Sequence, residues 1–459
     1  MATDIARIGS RTTRPPAPSY GPGPIPLHRL LHAVLFNPLQ IWSREHFEEP
    51  LVVARTPLGT RVVVSDPEAI KWILVDNSSN YVRDTLQQRI LLRTTGRSLF
   101  FAEGAEWRLL RRTFAPFFSH RALAAFLPAM LAAADKRVER LRGLCGGEVG
   151  VDREMAAAAV DVLSRTLFAD GLGEGESSIA ASVRRFADAT GAVGLNDLLK
   201  LPSWIPDIRR LVGWRAIRMV RKRARRIVAD ARRSPESGDI VSALLQARDA
   251  DTGRTLGARI IEDNVSTLIG AGSDTVAIAL TWAIFLLSET PEIRENVEAE
   301  LDAFLQGGPI TLETLDRLIW TRATIEEAMR LYPPAPLIGR MALAADTFCG
   351  QRFPAGTTIL IAPWVVHRHT RLWSEPELFR PERFLPGRRQ SIPRFAYLPF
   401  GAGPRICIGM GFAMQEAVVL LARLTQHFHF ERLDDRPIRL RQCVTLQPQG
   451  GLRMRVQQR

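Results

Sequence analysis

Apolar side chains recur at helical spacing along most of the chain beyond residue 100. Positions three and four residues apart lie on one face of an α-helix, so each such run predicts a helix with one buried face. The runs lie at about 105–118, 120–142, 152–168, 178–190, 214–233, 239–248, 257–289, 291–305, 312–332 and 410–428. The pattern therefore predicts a mainly α-helical protein.

Short β-like stretches interrupt the helical pattern. The runs 51–54 and 61–64 flank a turn and predict a hairpin. Further β-like stretches follow Pro334, around 357–361, and close the chain at about 438–457. Small β-sheets beside many helices place the protein in the mainly α, α+β class.

No internal repeat and no shift in composition marks a second domain. Residues 1–27 are rich in proline and predict a loose tail, which leaves residues 28–459 as a single large domain. No apolar run reaches the roughly 18 residues that a membrane-spanning helix needs. The N-terminus also lacks the apolar core of a secretion signal. These features predict a cytoplasmic protein without a transmembrane anchor.

The formal net charge of +13 comes almost entirely from arginine. The densest basic run, 215–233, also carries apolar residues at helical spacing. It predicts a surface helix with a solvated basic face, and a patch for nucleic acid or a membrane is the less favoured interpretation. Basic charge could also form a docking face for an acidic protein partner.

The chain has four cysteines that stand far apart, without a Cys-x-x-Cys pair, which argues against zinc and iron–sulfur sites. Cys407 lies in a short loop with Gly401, Gly403 and Gly409, which can adopt positive φ, and a predicted helix follows at once. A helix N-terminus favours a thiolate over a thiol. The alternative is a buried structural cysteine in a glycine-rich turn.

A further segment places polar residues inside a predicted helix. Asp274 and Thr275 follow Ala271 and Gly272 in the long run 257–289, where polar side chains are costly unless they form bonds or act chemically. The alternative for Thr275 is a hydrogen bond back to a carbonyl of its own helix.

Residues that can form polar contacts lie one helical turn apart in two other places. Glu327 and Arg330 can pair on one face, and a surface salt bridge is the plain alternative. Trp107 and Arg111 lie one turn apart in the run 105–118.

Together these segments resemble the cytochrome P450 family. Residues 400–409 match the pattern Phe-Gly-x-Gly-x-Arg-x-Cys-x-Gly at every fixed position, and residues 271–275 are similar to the family's oxygen-binding helix, Ala/Gly-Gly-x-Asp/Glu-Thr. Glu-x-x-Arg at 327–330, Pro-x-Arg-Phe at 381–384 and Trp-x-x-x-Arg at 107–111 also match. The order of elements is similar to the cytochrome P450 fold along nearly the whole chain.

The resemblance assigns a role to each matching residue. Cys407 would be the proximal thiolate ligand of haem iron. Thr275 and Asp274 would deliver the protons that oxygen activation needs. The remaining haem contacts would be Phe400, Gly401 and Ala271, with Trp107, Arg111, Arg405 and Arg340 at the propionates. A structural triad of Glu327, Arg330 and Arg383 would hold the thiolate loop. His367 and His369 are expected to be ordinary loop or core histidines.

The implied activity is that of a soluble, bacterial-type haem-thiolate monooxygenase, an oxidoreductase with haem b as cofactor. It would insert one atom of dioxygen into a hydrophobic small molecule, by hydroxylation or epoxidation. No flavin or nicotinamide fingerprint is present, so electrons would come from NAD(P)H only indirectly, through a ferredoxin or flavodoxin and its reductase. The arginines expected to meet that partner are Arg111, Arg112, Arg388, Arg389 and Arg394.

The substrate pocket follows from the resemblance alone. Its expected residues are Leu268, Leu337, Ile338 and Leu446, with the loop near 81–101 (Gln87, Gln88, Ile90, Leu91, Leu92, Phe100) and Gln447. Two other functions stay open. One is a peroxide-driven peroxygenase or a haem-thiolate isomerase, against which the intact Asp274–Thr275 pair argues. The other is a non-catalytic haem or nucleic-acid-binding protein.

Overall fold

The structure is a computed structural model with all side chains. It describes residues 14–21, 23, 25–56, 59–84, 88, 96–168, 171–172, 176–191, 197, 208–233, 239–249, 252–253, 255–305 and 308–459.

Helices form most of the described chain. The α-helices are α1 (Leu27–Phe36), α2 (Pro67–Lys71), α3 (Gly104–Phe114), α4 (His120–Arg142), α5 (Val151–Thr166), α6 (Glu176–Gly191), α7 (Ile208–Arg233), α8 (Ile240–Gln246), α9 (Ala258–Glu289), α10 (Pro291–Leu305), α11 (Leu312–Arg317), α12 (Ile319–Leu331), α13 (Pro363–Val366) and α14 (Met410–His427). A π-helical turn, Trp72–Asp76, continues α2. Short 3₁₀ turns occupy Pro38–Ile41, Arg44–Phe47, Ser78–Asn80, Ala115–Phe118, Pro381–Phe384, Arg389–Ser391 and Gly403–Arg405.

Every helix predicted from the periodicity is present, and the two notable differences have local causes. The run 312–332 is divided into α11 and α12, because the backbone of Leu318 (φ −78°, ψ 65°) leaves the helical region. Helix α1 was not predicted, since it lies between prolines at the edge of the proline-rich segment. The predicted mainly α fold is confirmed.

Twelve strands in the described residues form small sheets. They are β1 (Leu51–Thr56), β2 (Gly59–Val64), β3 (Tyr81–Arg83), β4 (Glu148–Gly150), β5 (Ile338–Ala342), β6 (Asp346–Phe348), β7 (Gln351–Phe353), β8 (Thr358–Ile361), β9 (Phe428–Arg432), β10 (Leu440–Gln442), β11 (Leu446–Pro448) and β12 (Arg453–Gln458). The largest sheet has the order β1-β2-β8-β5-β3. The predicted hairpin is β1–β2, and β8 adds parallel to β2 with Val62 opposite Ile359. Smaller sheets have the orders β4-β12-β9, β10-β11 and β6-β7.

Helix α9 is the central element of the core. It packs against α5, α6, α7, α12 and α14. By length and composition α9 could cross a membrane, but 67% of its most apolar window is buried inside the protein. Its apolarity is therefore that of a core helix, and the cytoplasmic location stays a prediction.

Part of the proline-rich segment is attached to the core. Tyr332 Oη donates to the carbonyl of Pro16 at 2.9 Å, and Trp364 Nε1 donates to Tyr20 Oη at 2.7 Å. The carbonyl of Gly21 accepts from the backbone N–H of Arg44. Residues 1–13 lie outside the described residues, and the domain boundary at residue 27 stays a prediction.

Candidate active site

A cavity of about 370 Å³ lies between helix α9 and the loop that precedes α14. Ala271, Gly272 and Thr275 line it from α9, and Phe400 and Cys407 line it from the loop. The two segments that resemble a family motif most closely therefore meet at one cavity, although more than a hundred residues separate them.

The loop at 400–409 needs glycine at two positions. Gly401 and Gly403 both have φ +72°, a conformation that favours glycine. A Cβ on Gly403 would also lie 1.8 Å from the carbonyl oxygen of Leu74, so the close approach is to another backbone segment. Gly409 has φ −89° and needs no such freedom, contrary to the expectation from sequence.

The Cys407 side chain faces the cavity. Its accessible surface belongs to the cavity lining, while protein encloses the rest of the thiol. Burial raises the pKa of the Cys407 thiol, and the Gly409 N–H and the Arg111 guanidinium only partly oppose this shift. The N–H of Gly409 at the helix N-terminus favours the thiolate, as expected, but burial opposes it more strongly. A metal cation at the sulfur would reverse the balance, since coordination deprotonates a thiol.

Two arginines line the same cavity, of which Arg340 is buried and Arg83 is half-buried. Arg83 on β3 lies directly opposite Arg340 on β5. Burial, together with the positive charges of neighbouring arginines, lowers the pKa of Arg83 to about 9 and that of Arg340 to about 10. Arg83 Nε has no hydrogen-bond acceptor among the described residues, and its guanidinium stacks 3.8 Å from the centre of the Phe100 ring. Like charges facing each other across strands are destabilising, so the site calls for an anion.

Two other arginines predicted at the site, Arg111 and Arg405, form hydrogen bonds to the backbone around the cavity. Arg111 Nη1 donates to the Ile406 carbonyl at 2.8 Å, next to Cys407. Arg405 Nη1 donates to the Ala102 carbonyl at 2.7 Å, and its guanidinium also pairs with Glu103. The Arg405 guanidinium lies 4.6 Å from the centre of the Trp107 ring, which also lines the cavity.

Helix α9 presents its acid and its hydroxyl in different directions. Thr275 lines the cavity, and its Oγ1 donates to the Ala271 carbonyl at 2.9 Å, as in the alternative considered from sequence. Asp274 is buried outside the cavity lining, where Thr445 Oγ1 donates to its Oδ2 at 2.8 Å and Gln447 donates to Thr445 at 3.1 Å. Burial raises the pKa of Asp274 to about 6, although Thr445 and the charge of Arg184 lower it in part.

The proposed structural triad is assembled in the interior. Glu327 and Arg330 have no exposed side-chain surface and pair at 2.7 Å, so the surface salt bridge is excluded. Arg383 Nε lies 3.5 Å from Glu327 Oε1. His367 is fully buried, its Nε2 accepts from the Leu398 N–H, and burial lowers its pKa to about 3, as suits a core histidine.

Three of the four predicted pocket residues line the cavity, and one does not. Leu268, Leu337 and Ile338 are in its wall. Leu446 is fully buried away from the lining, and its carbonyl accepts from Trp282 Nε1 at 3.2 Å, because the turn after β10 packs on α9. Gln87, Ile90, Leu91 and Leu92 lie outside the described residues.

Arg83 is the main site residue that sequence reasoning missed. Its position depends on the pairing of β3 with β5, two strands far apart in the chain. No local spacing around Arg83 predicts that pairing. A short β-like stretch that ends in an arginine is the only local signal it offers.

A cysteine that faces an apolar cavity, arginines beside it and a long helix across it define a class of haem enzyme. The sequence model of the family Cytochrome P450 matches residues 22–454, and the chain belongs to this family. It is a monooxygenase, and the family's cofactor is haem.

Known relatives match this chain over most of its length. Cyclooctatin synthase from Streptomyces melanosporofaciens is 32% identical, over 97% of this chain and 97% of its own. Pentalenene oxygenase from Streptomyces avermitilis is 30% identical, over 95% of this chain and 96% of its own. A cytokinin hydroxylase from Arabidopsis thaliana is 32% identical, over 85% of this chain and 77% of its own.

The residues present fit the family's cofactor. Iron requires an axial ligand, and the Cys407 thiol faces the cavity. Haem carries two propionates, and among the described residues Glu103 is the acidic group that acts on both Arg83 and Arg340. The remainder of the wall is mostly apolar, as the flat porphyrin surface requires.

Proposed function

We propose that the protein uses haem b, held by Cys407, to insert one atom of dioxygen into a hydrophobic small molecule by hydroxylation or epoxidation. The observation that carries this proposal is the Cys407 thiol facing a cavity whose opposite wall is the Ala271–Thr275 segment of α9. The electrons would come from a separate ferredoxin or flavodoxin, supplied by a reductase that uses NAD(P)H.

The chain's own residues would bind and orient the cofactor. Cys407 would supply the sulfur ligand, and Arg111 would hold the loop beside it through the Ile406 carbonyl. The propionates would meet Arg83, Arg340 and the Arg405–Trp107 pair, where charge-assisted hydrogen bonds to the guanidinium groups would form. When bound, the haem supplies the oxygen activation and the redox chemistry.

The buried triad would keep the cysteine loop in place. Arg330 and Arg383 meet at Glu327, and Glu327 Oε1 accepts from the Arg380 N–H at 2.9 Å. The Arg330 carbonyl lies 3.3 Å from His367 Nδ1, and His367 Nε2 accepts from the Leu398 N–H, two residues before Phe400. This chain of contacts links α12 to the start of the loop.

Protons would reach the cavity through α9. The Thr275 hydroxyl is the polar group that α9 presents beside Ala271 and Gly272. Asp274 would hold a proton at its Oδ2, and the pKa of about 6 allows it to gain and lose that proton near neutral pH. Asp274 would then have to leave Thr445 and turn toward the cavity, so this step includes a side-chain movement.

The cavity favours a hydrophobic substrate. Leu268, Leu337 and Ile338 form its apolar wall, and such walls select apolar ligands. Relatives in Streptomyces are named for the small molecules pentalenene and cyclooctat-9-en-7-ol, which fits the same preference.

The test is the spectrum of the purified ferrous protein under carbon monoxide. A thiolate ligand gives a red-shifted Soret band, and we expect it in the wild type and in a Cys349→Ala control, since Cys349 is exposed in the turn between β6 and β7. Cys407→Ala should lose the band. A red-shifted band in Cys407→Ala, or its absence from the wild type, would refute the proposal.

A second candidate is a peroxide-driven peroxygenase or a haem-thiolate isomerase. It is favoured by the placement of Asp274 toward Thr445 and by the Thr275 bond to the Ala271 carbonyl, because neither side chain is free to donate into the cavity. Oxygen uptake coupled to NAD(P)H oxidation, with redox partners added, supports the monooxygenase. Turnover with hydrogen peroxide alone, without oxygen uptake, supports the second candidate.

A further inference from the structure

Residues 96–101 are attached to the start of helix α9 by two side chains. The Asp263 carboxylate accepts from the Arg97 N–H at 3.0 Å, and Asn264 Oδ1 accepts from the Leu99 N–H at 2.8 Å. Asp263 and Asn264 are both buried, so the two bonds are shielded from solvent. We refer to these two contacts as the clasp. They satisfy backbone donors that a segment without regular structure cannot satisfy itself.

The geometry of the clasp is specific on both sides. Asn264 Nδ2 donates to the Ile260 carbonyl at 2.8 Å, which turns Oδ1 toward Leu99. On the other side Gly96 has φ +65°, and a Cβ there would lie 2.0 Å from Asp263 Oδ2. Only glycine at position 96 therefore lets the Asp263 carboxylate reach the Arg97 N–H.

The clasp acts on a wall of the candidate active site. Leu99 and Phe100 line the cavity from the segment, and Asn264, Thr267 and Leu268 line it from α9. The Arg83 guanidinium also stacks on the Phe100 ring. A shift of the segment would therefore change the shape of the cavity, because two of its apolar wall residues, Leu99 and Phe100, belong to this irregular backbone.

We propose that Asp263 and Asn264 are specificity-determining positioning residues, which fix Leu99 and Phe100 as a wall of the substrate space and so set the size of ligand that the site accepts. The proposal deepens the proposed function and rests on it, since it takes the cavity beside Cys407 as the binding site.

Amide hydrogen exchange tests whether the clasp holds the segment. In the full-length haem-loaded protein, Asn264→Ala should lower the protection of the Leu99 amide roughly tenfold, because a buried bond to that amide is lost. Ser266→Ala is the matched control, since Ser266 is buried on the same helix, donates to the Glu262 carbonyl of that helix and does not line the cavity. Unchanged protection at Leu99 and Arg97 would overturn the clasp.

Binding of two haem ligands of different size tests the effect on specificity. We expect Asn264→Ala to weaken 4-phenylimidazole about five- to tenfold and to leave imidazole unchanged, because only the larger ligand reaches the wall formed by Leu99 and Phe100. A ratio of the two dissociation constants equal to that of the wild type would overturn the specificity role. The carbon monoxide spectrum of each variant is recorded first, so that failure of the proposed function is recognised separately.

A second variant changes the clasp on the side of residues 96–101. Gly96→Ala should mimic Asn264→Ala, because its Cβ would collide with the Asp263 carboxylate. In an Asp263→Ala background the collision is removed and only the strain of alanine at φ +65° remains, so Gly96→Ala should change the ratio of dissociation constants less than it does in the wild-type background. Equal effects of Gly96→Ala in both backgrounds would contradict the contact on which the clasp depends.

Discussion

Every nitrogen of the buried Arg330 guanidinium donates at least one hydrogen bond. Its Nε and Nη2 donate to the two Glu327 oxygens, each at 2.7 Å. Its remaining bonds go to the carbonyls of His367, Pro376 and Leu378. A buried ion pair is tolerated only when each polar group finds such a partner. The residue thus ties α12 to three points of the following loop region.

Removing the Arg330 guanidinium should be strongly destabilising. We expect Arg330→Met to lower the free energy of unfolding by about 3–5 kcal/mol, because Glu327 would stay buried without its partner. Chemical denaturation measures this loss. Arg142→Met is the control, since Arg142 pairs with Glu139 at the same spacing but on the exposed surface of α4, and it should cost at most about 0.5 kcal/mol. Similar losses in both variants would contradict the buried network.

The pH dependence of stability should reveal Asp274. Burial raises the pKa of its carboxyl to about 6, so the folded state favours the protonated form. That contribution is complete below about pH 4 and is lost as the pH rises through 6. Relative to Asp274→Asn, the wild type should therefore lose up to about 3 kcal/mol of unfolding free energy between pH 4 and 7.

Denaturation series across this pH range make the comparison for Asp274. Asp435→Asn, at an exposed position, serves as the control. If the difference between the wild type and Asp274→Asn does not change with pH, Asp274 does not titrate as the structure implies.

At the scale of elements, the pairing of β3 with β5 decides the charge of the site. The register places Arg83 opposite Arg340, and Tyr81 opposite Ala342. Both arginines stay charged, so their lowered pKa values express an unfavourable burial of positive charge. An anion bound between the strands would remove that penalty.

Arg83→Met should therefore have opposite effects in two states of the protein. Without haem it should raise the denaturation midpoint, because one of two facing like charges is removed. With haem it should speed cofactor loss by roughly ten- to a hundredfold, since a charge-assisted bond disappears. Thermal denaturation measures the midpoint of the haem-free protein. Haem transfer to an acceptor protein measures the rate of cofactor loss. Arg55→Met, at an exposed position on β1, should change neither. Destabilisation in both states would refute the propionate role.

At the scale of the whole molecule, the net charge of +13 is distributed over separate surfaces. Helix α7 buries its apolar stripe, including Val220, Ala224 and Val228, and exposes arginines, as predicted. Of the arginines expected at a partner face, Arg111 faces the cavity, and Arg389 is exposed but pairs with Glu326. Arg112, Arg388 and Arg394 are exposed.

These three exposed arginines should accelerate electron delivery. Changing all three to glutamate should slow reduction by an acidic ferredoxin or flavodoxin at least about tenfold at low ionic strength, because the steering field is reversed. High salt should remove most of the difference. Stopped-flow reduction measures it. Reversing Arg218, Lys222 and Arg225 on α7 changes the net charge equally and is the control. Equal slowing by both sets would refute a local docking face.

The sequence by itself determined the family, the mainly α fold and the segments that form and support the site. Cys407 with its glycines, the Ala271–Thr275 turn of α9 and the Glu327–Arg330 pair are local patterns. Local patterns can be recognised in a sequence because each depends on a few neighbouring residues whose spacing is set by a helix or a turn.

Only the tertiary structure decided how these parts behave. Burial, not the helix N-terminus, governs the pKa of Cys407. Strand pairing brings Arg83 to the cavity, and packing on α9 takes Leu446 away from it. The clasp likewise joins segments more than 160 positions apart. Burial and long-range pairing depend on the whole fold, and residue spacing along one chain does not encode them.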